Sequence, residues 1–469
     1  MRKPVPLPLT ELTAISPIDG RYGNRTQELR PFVSEFALIK TRMGVEAKYL
    51  IALSDVGVVR KLTDVERKRL LSFGETLRLP EAEKIKLIEE ETRHDVKAME
   101  RAFRTMLSGT SLEDVTEMVH FGLTSEDVNN LSYRLMLKRA TENVSIPTLD
   151  ELTDELVARG QQYRESMLGR THGQGAVPTI IGKEFINFAA RVNKETRKLE
   201  KQKLTGKLTG AVGNLNALRA AYPNVDWIIF SEKFVKSFGL EPNLTTTQIN
   251  PYEDIIEYLQ NHQRINGIIM DFDQDMWRYI SDDWIIQEVK KGEVGSSTMP
   301  QKVNPIDFEN SEGNVQVANS LILGLSTKLP VSRLQRDLSD STSIRNLGSV
   351  LAYGLIGYKS TLAGLSRIRP NLKEINARLN EDWSILAEGA QTILRRAGVK
   401  DPYSLMADLT RGGHINGQKE WTKLVDGLDI GENERNELKR LTPETYIGYA
   451  PELTDRAIEE IKSSRNPKS

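Results

Sequence analysis

Cysteine is absent from the 469 residues. That absence removes disulfides, thiol nucleophiles and thiolate metal sites together, and it suits a reducing cytoplasm. Charge of one sign is also lacking: 64 Lys and Arg stand against 65 Asp and Glu, a formal net charge of −1. Bulk nucleic-acid binding is therefore disfavoured, and the balance of apolar and charged residues disfavours disorder. The opening "MRKPVPLPLTELTAISP" has no continuous apolar core, so no secretory signal is expected. The longest weakly polar run, between Arg345 and Lys359, is too short and too rich in glycine to cross a bilayer and reads as a buried core helix. Histidine is scarce, with His94, His120, His172, His262 and His414 alone, and no two have metal-site spacing. "GKLTGAVG" does not end in the Gly-Lys-Ser/Thr of a phosphate loop, and no G-x-G-x-x-G follows a convincing strand. Neither a metal nor a cofactor is expected, nor a nucleic-acid or membrane partner.

What is present is helical periodicity. Ile265, Ile268, Ile269, Phe272, Met276 and Tyr279 keep one face, as do Trp383, Leu386, Ala390, Ile393 and Leu394. "SIPTLDELTDELVARG" reads as a helix opening at Pro147, with Thr148 and Glu151 as a capping box. "LGSVLAYGLIGYKSTLAGLSRI" is apolar all round, as in the centre of a bundle. Alternating β-branched runs are scarce; only "KLTGAVGNL" at 207–215 reads as a small hairpin. The expected class is mainly all-α. The length predicts more than one domain, with boundaries near 115 and 367, giving 1–115, 116–366 and 367–469. Long bundled helices of this kind also make a homo-oligomer the natural expectation.

Four stretches could carry chemistry. "GRTHGQGAVPT" puts His172 in a segment not expected to be regular, either as a turn histidine or as one held in a single tautomer near neutrality. "VHFGLTSEDVNN" has His120, then Thr124-Ser125-Glu126-Asp127, which is first of all a helix cap and second a place for an anion at a helix start. "ETRHDVKAMERAF" groups Arg93, His94 and Asp95, as a surface cluster or a polar anchor. "LPVSRLQRDLSDSTSIRNLG" surrounds Ser341, Thr342 and Ser343 with Arg333, Arg336 and Arg345, as another capped helix or as a cradle for phosphate or carboxylate. His262 and His414 read as structural or exposed.

A fifth stretch, "GSSTMPQKVNPIDFEN" (295–310), mixes small hydroxyls with Lys302 and Asn304 on a loop broken by Gly and Pro. A serine brought over a substrate by such a loop, with a cation and an amide beside it, suits removal of a proton next to a carboxylate. This stretch resembles the signature of the fumarase/aspartase superfamily, and "TSED" and "THGQ" resemble its two other shared regions in the same order. Within it, "SPIDGRYG", "RHDVKAME", "TTQINPYE", "DFENSEGN" and "RDLSDSTSIRNLG" are similar to the adenylosuccinate lyases of bacteria, over nearly the whole chain.

The resemblance implies a mainly α-helical, three-domain subunit whose long helices join a twenty-helix core in a homotetramer with active sites shared between subunits. It implies β-elimination of fumarate from adenylosuccinate and from the succinyl-carboxamide ribonucleotide of purine synthesis, without a cofactor. By motif, Ser296 would be the general base and His172 the general acid. Lys302 and Asn304, with Val303 between them, would hold the carboxylate. Arg21, Tyr22, Arg93, His94, Asp95, Arg336 and the run Ser341, Thr342, Ser343, Ile344 and Arg345 would bind the nucleotide. Thr124, Ser125, Gln248 and Asn310 would place the succinyl part, with His120 as a further candidate. Two positions depart from the pattern: Gln301 stands where relatives often have His, and Arg93 where close relatives often have Asn. The alternatives are a related lyase for argininosuccinate, malate or aspartate, or a helical scaffold that kept the fold; the phosphate-type segments and the intact signature weigh against both.

Overall fold

The computed structural model describes residues 7–288, 299, 301–410 and 414–465. Helices take 66 % of the chain, so packing is helix on helix, and the mainly-α expectation holds. Among the described residues the strands make three two-stranded sheets: Ser166–Thr171 with Gln174–Ile180, antiparallel; Thr205–Gly206 with Glu241–Pro242, parallel; and Ile285–Gln287 with Ile368–Pro370, antiparallel. No described helix is long and apolar enough to cross a membrane. The chain divides into two compact units.

The first unit comprises residues 1–148, 198–266 and 314–356. Its axis is the helix Glu35–Asp55, started by Ser34, whose Oγ accepts the Ala37 N–H at 3.2 Å. Met43, Ala47, Tyr49, Leu50 and Leu53 of this helix are fully buried. The neighbouring helix Asp64–Thr76 begins with a Thr63/Glu66 capping box. The two helices touch at glycine: a Cβ on Gly74 would stand 2.7 Å from the Gly44 Cα, so no other residue fits without moving a backbone. The helices Asp95–Leu107 and Ser125–Ala140 complete the packing around Glu35–Asp55.

The second unit comprises residues 149–197, 267–313 and 357–469. It holds the hairpin 166–180 and a C-terminal core in which Trp383, Leu386, Ala390, Leu394, Met406, Trp421, Val425 and Leu438 are buried together. The periodicity read at 383–394 is therefore a core face. Trp421 satisfies its indole N–H on the Leu438 carbonyl at 2.8 Å, which lets so large a ring be buried completely.

Three local expectations are corrected. Pro147 does not open a helix. The turn Thr141–Ser145 is a π-helix joining Ser125–Ala140 to Ile146–Gln162, and Pro147 lies two residues beyond it. The wider turn tolerates a ring that has no N–H and would crowd a regular helix. Thr148 caps nothing; its hydroxyl donates to the Val144 carbonyl. The segment 207–215 is not a hairpin: the only strand nearby is Thr205–Gly206, and Leu215 takes φ +56° before the helix Asn216–Ala221. Conversely, the region around His172 is a regular hairpin. Its strands mix Gly and Pro among a few β-branched residues, Thr171, Val177, Thr179 and Ile180, so no clean alternation marks them.

Candidate active site

In the first unit, three chain turns meet around a cavity of about 600 Å³. Arg93, His94 and Asp95 come from the first turn, Thr124 and Ser125 from the second, and Arg336, Ser341, Thr342, Ile344 and Arg345 from the third, with Gln248 beside them. These eleven sequence-predicted residues share one wall system. Arg21 is exposed and Tyr22 half-buried; neither they nor His120 and Ser343 line it. A cavity of about 710 Å³ beside Ile51, Phe230 and Phe234 contains none of the predicted residues and is mostly apolar. The chemistry therefore points to the smaller one.

Local rules build each turn. The helix Leu79–Thr92 ends at Arg93, in the left-handed region at φ +52°. The next residue, His94, starts Asp95–Leu107: its Nδ1 accepts the Lys97 N–H at 3.3 Å, leaving Nε2 toward the Ser125 hydroxyl at 3.4 Å. Thr124 and Asp127 form the capping box expected at Ser125–Ala140. The same Asp127 is fully buried and takes Lys207 Nζ at 3.0 Å and the Thr209 N–H at 3.0 Å. That pair ties the 124–127 turn to a distant loop.

The arginines are held by carboxylates. Arg42, 1 % exposed, donates to Asp95 Oδ2 and Asn129 Oδ1, both at 2.8 Å. Arg345 bridges Asp95 at 3.1 Å and Glu35 at 2.7 Å. Burial works against charge on Asp95, yet Arg42, the Val96 N–H and Arg345 together hold its carboxyl at about 2. Arg336 donates to Gln248 Oε1 at 3.1 Å and Ser341 Oγ at 3.0 Å, and lies 3.2 Å from Glu126 Oε2. Burial pushes Glu126 up to about 7, with Arg336 opposing and Asp340 adding to the rise. Tyr252 donates to Asp340 at 2.7 Å. Arg333, grouped with Arg336 in the sequence, is exposed and turns to Asp337 instead.

His120, at φ +60°, pairs its Nδ1 with the buried Glu46. Burial opposes the charged ring, but the Glu46 bond and the charges of Glu46, Glu100 and Asp127 outweigh it and raise the pKa. The lining residues missed by sequence reasoning are Arg42, Glu89, Glu126, Asn129, Tyr133, Tyr252 and Leu338. Glu126, Asn129 and Tyr133 follow i, i+3, i+7 spacing from the "TSED" turn, so a helical face was the signal available.

In the second unit, Thr171 pairs with Gln174 and the two residues between them turn the hairpin, His172 at φ +54° and Gly173 at φ +73°. Two successive positive φ values make this a type I′ turn, which matches strand twist. His172 is exposed at its tip. Next to the turn, Arg170 anchors the hairpin: it pairs with Asp282 and lies 4.1 Å from the Trp284 ring centroid. Lys302 is exposed, Val303 accepts from Gln287 at 3.3 Å, Asn304 is half-buried before the helix Ile306–Lys328, and Asn310 accepts from Ser360 at 2.8 Å. Ser296 lies outside the described residues.

A family model described as lyase matches residues 20–319, and one described as the adenylosuccinate lyase C-terminal region matches 332–447. The chain is 44 % identical over 457 residues to the adenylosuccinate lyase of Haemophilus influenzae, covering 96 % of this chain and 99 % of that one. The chain belongs to the adenylosuccinate lyase family. The adenylosuccinate lyase of Escherichia coli K12 is likewise 44 % identical, over 95 % of this chain and 99 % of its own. Two solved structures show the fold shared more widely. A β-carboxy-cis,cis-muconate cycloisomerase from Acinetobacter calcoaceticus has a TM-score of 0.70 at 17 % identity, covering 92 % of this chain and 98 % of its own. A fumarate lyase from Mesorhizobium has 0.74 at 15 %, covering 92 % and 97 %. This member of the adenylosuccinate lyase family thus keeps a fold that serves more than one reaction.

Proposed function

We propose that this lyase removes fumarate from adenylosuccinate, releasing AMP, and from the succinyl-aminoimidazole-carboxamide ribonucleotide of purine biosynthesis. The observation that carries the reading is the arginine- and hydroxyl-lined cavity built from the 93–95, 124–125 and 336–345 turns in a chain of this family. Arg93, Arg336 and Arg345, with the Ser341 and Thr342 hydroxyls, supply the charge and donors that a phosphate takes. Argininosuccinate, malate and aspartate carry no phosphate and give such a set no purpose.

The chemistry needs a proton taken from the carbon beside a carboxylate. Ser296 is the base, on the strength of the signature. The electron pair left behind spreads into the carboxylate, whose growing charge Lys302 and the Asn304 amide hold. The C–N bond then breaks, its electrons passing to the nucleotide nitrogen as the new C=C forms, and His172 gives that nitrogen a proton. No electron is gained or lost overall, so no redox partner enters. The hairpin tip, with its exposed imidazole, suits a group that meets substrate from one side. The same reading takes the subunit as three-domained, the assembly as a homotetramer with sites completed between subunits, and the compartment as the cytoplasm. Fumarate release from adenylosuccinate, argininosuccinate and malate assayed in parallel tests it: release from argininosuccinate with none from adenylosuccinate would sink it.

A further inference from the structure

Glu126 is the one carboxylate of the cavity whose negative charge is poorly supported. It is 3 % exposed, and its described contacts are the Arg336 guanidinium at 3.2 Å and the Asn129 amide at a marginal 3.5 Å. Asp95, by comparison, is clasped by two arginines and a backbone N–H. Arg42, Arg336 and Arg345 each already face a carboxylate, while Arg93 has no ion pair among the described residues, so an anion that engages Arg336 shares a cation already in use. Arg336 has capacity left: its buried Nε makes no hydrogen bond among the described residues.

We propose that Glu126 positions Arg336 as its counter-charge in the ligand-free protein and takes up a proton when a phosphate-bearing nucleotide engages that arginine. This rests on the reading of the cavity as the phosphate site. The groups facing Glu126 are Arg336 and Asp340 from the 332–344 segment, Lys207 and Asp127 beneath it, Asn129 on its own helix, and the Tyr133 and Tyr252 hydroxyls. Lys207 is committed to Asp127 and the Gly210 carbonyl, and Tyr252 to Asp340, which leaves Arg336 as the cation Glu126 depends on. A phosphate dianion on Arg336 competes for that cation and adds negative charge nearby. Both effects favour the neutral acid, which can still bond the guanidinium through its carbonyl oxygen. The side chain starts from a balance in which burial has already brought it to about 7, so the proton costs little near neutrality. Protonation spares the protein from moving a fully packed side chain to admit the ligand.

Linkage gives the readout. If binding takes up a proton, affinity falls as pH rises above about 7, by up to about tenfold per pH unit. The ligand's own phosphate works in the other direction, becoming a better anion as pH rises, so the two are separable by sign. Titration calorimetry of AMP into the holo-assembled full chain, in two buffers of different ionisation enthalpy at about pH 7.5, should show uptake of roughly three-quarters of a proton. Glu126→Gln keeps the shape and the acceptor and carries no titratable group. In that variant uptake should vanish, and the KM for adenylosuccinate should lose its rise between about pH 7 and 9, with the change falling on KM more than on kcat. Wild-type binding of AMP with no proton exchange, a measurement that needs no variant to fold, overturns the inference and leaves the substrate reading intact. Uptake persisting undiminished in Glu126→Gln also overturns it. Failure of the wild type both to bind AMP and to cleave adenylosuccinate overturns the substrate reading, and the inference with it.

Discussion

Lys207 and Asp127 form an ion pair in which both side chains are 0 % exposed, and the two partners are not equivalent. Asp127 accepts backbone N–H groups from Thr124 at 2.9 Å, Thr209 at 3.0 Å and Gly210 at 3.2 Å besides the lysine. Lys207 Nζ has, besides Asp127, the Gly210 carbonyl at 2.9 Å. Asp127→Asn therefore leaves a buried ammonium with neutral acceptors and no counter-charge, and should cost about 3–5 kcal/mol, the range for orphaning a buried charge. Lys207→Met leaves a carboxylate still held by three N–H donors, bonds to a charged group worth about 1.5–3 kcal/mol each, so its cost should be smaller, about 1–3 kcal/mol. In the double variant neither charge is left alone, and the loss should fall short of the sum by roughly 2 kcal/mol. Urea unfolding at one fixed protein concentration measures all four states. Strict additivity, or a cheaper Asp127→Asn than Lys207→Met, would refute the account. Because Asp127 also caps the turn that presents Thr124 and Ser125, Asp127→Asn should raise KM as well as lower stability.

His262 is wholly buried against the Tyr258 ring, at 4.8 Å between centroids, and burial pushes its pKa from 6.5 down to about 4. The unfolded chain binds that proton first, so stability falls as pH drops through the window from 6.5 to 4, by up to about 3 kcal/mol. His262→Phe should flatten that slope in acid-unfolding curves, and an unchanged slope would count against it. A Cβ on Gly182 would stand 2.4 Å from the Gly160 carbonyl oxygen, so Gly182→Ala should lower the unfolding free energy from urea titration by about 1–3 kcal/mol; a neutral result would show that the helices can part freely. Ser296→Ala and His172→Ala should each lower kcat by roughly a hundredfold or more with binding much less affected. Mixed after subunit exchange in equal amounts, the two inactive proteins should recover activity in about a quarter of sites if each residue comes from an independent subunit. Tagged hybrids as inactive as their parents would rule out sharing.

What the sequence disclosed divides by distance along the chain. The Thr124–Asp127 cap and the helical face at Trp383–Leu394 are local patterns, and both stand as read. The grouping of arginines and hydroxyls at 336–345 was also visible, though Arg333 turned outward. Arg42 was invisible: its partners Asp95 and Asn129 are 53 and 87 residues away, and nothing local in the helix marks the arginine as buried. Glu126 lay in plain view within "TSED" but was absorbed into the cap motif. Its neighbour Asp127 does the capping, while Glu126, one residue back, faces the cavity. The helix around Pro147 was misread because proline is usually a boundary, and only a rare wide turn makes it an interior residue.

The helix end at Arg93 places an arginine in a left-handed backbone conformation, φ +52°. Asparagine and glycine adopt that conformation readily; for a longer side chain it costs about 1–2 kcal/mol. Arg93 occupies the position where the family resemblance leads one to expect asparagine. On the proposed reading of the cavity, the position trades some stability of the turn for a fourth guanidinium on the wall. Arg93→Asn should therefore make the turn more stable and weaken the hold on a phosphate-bearing ligand, two effects that pull the same position in opposite directions.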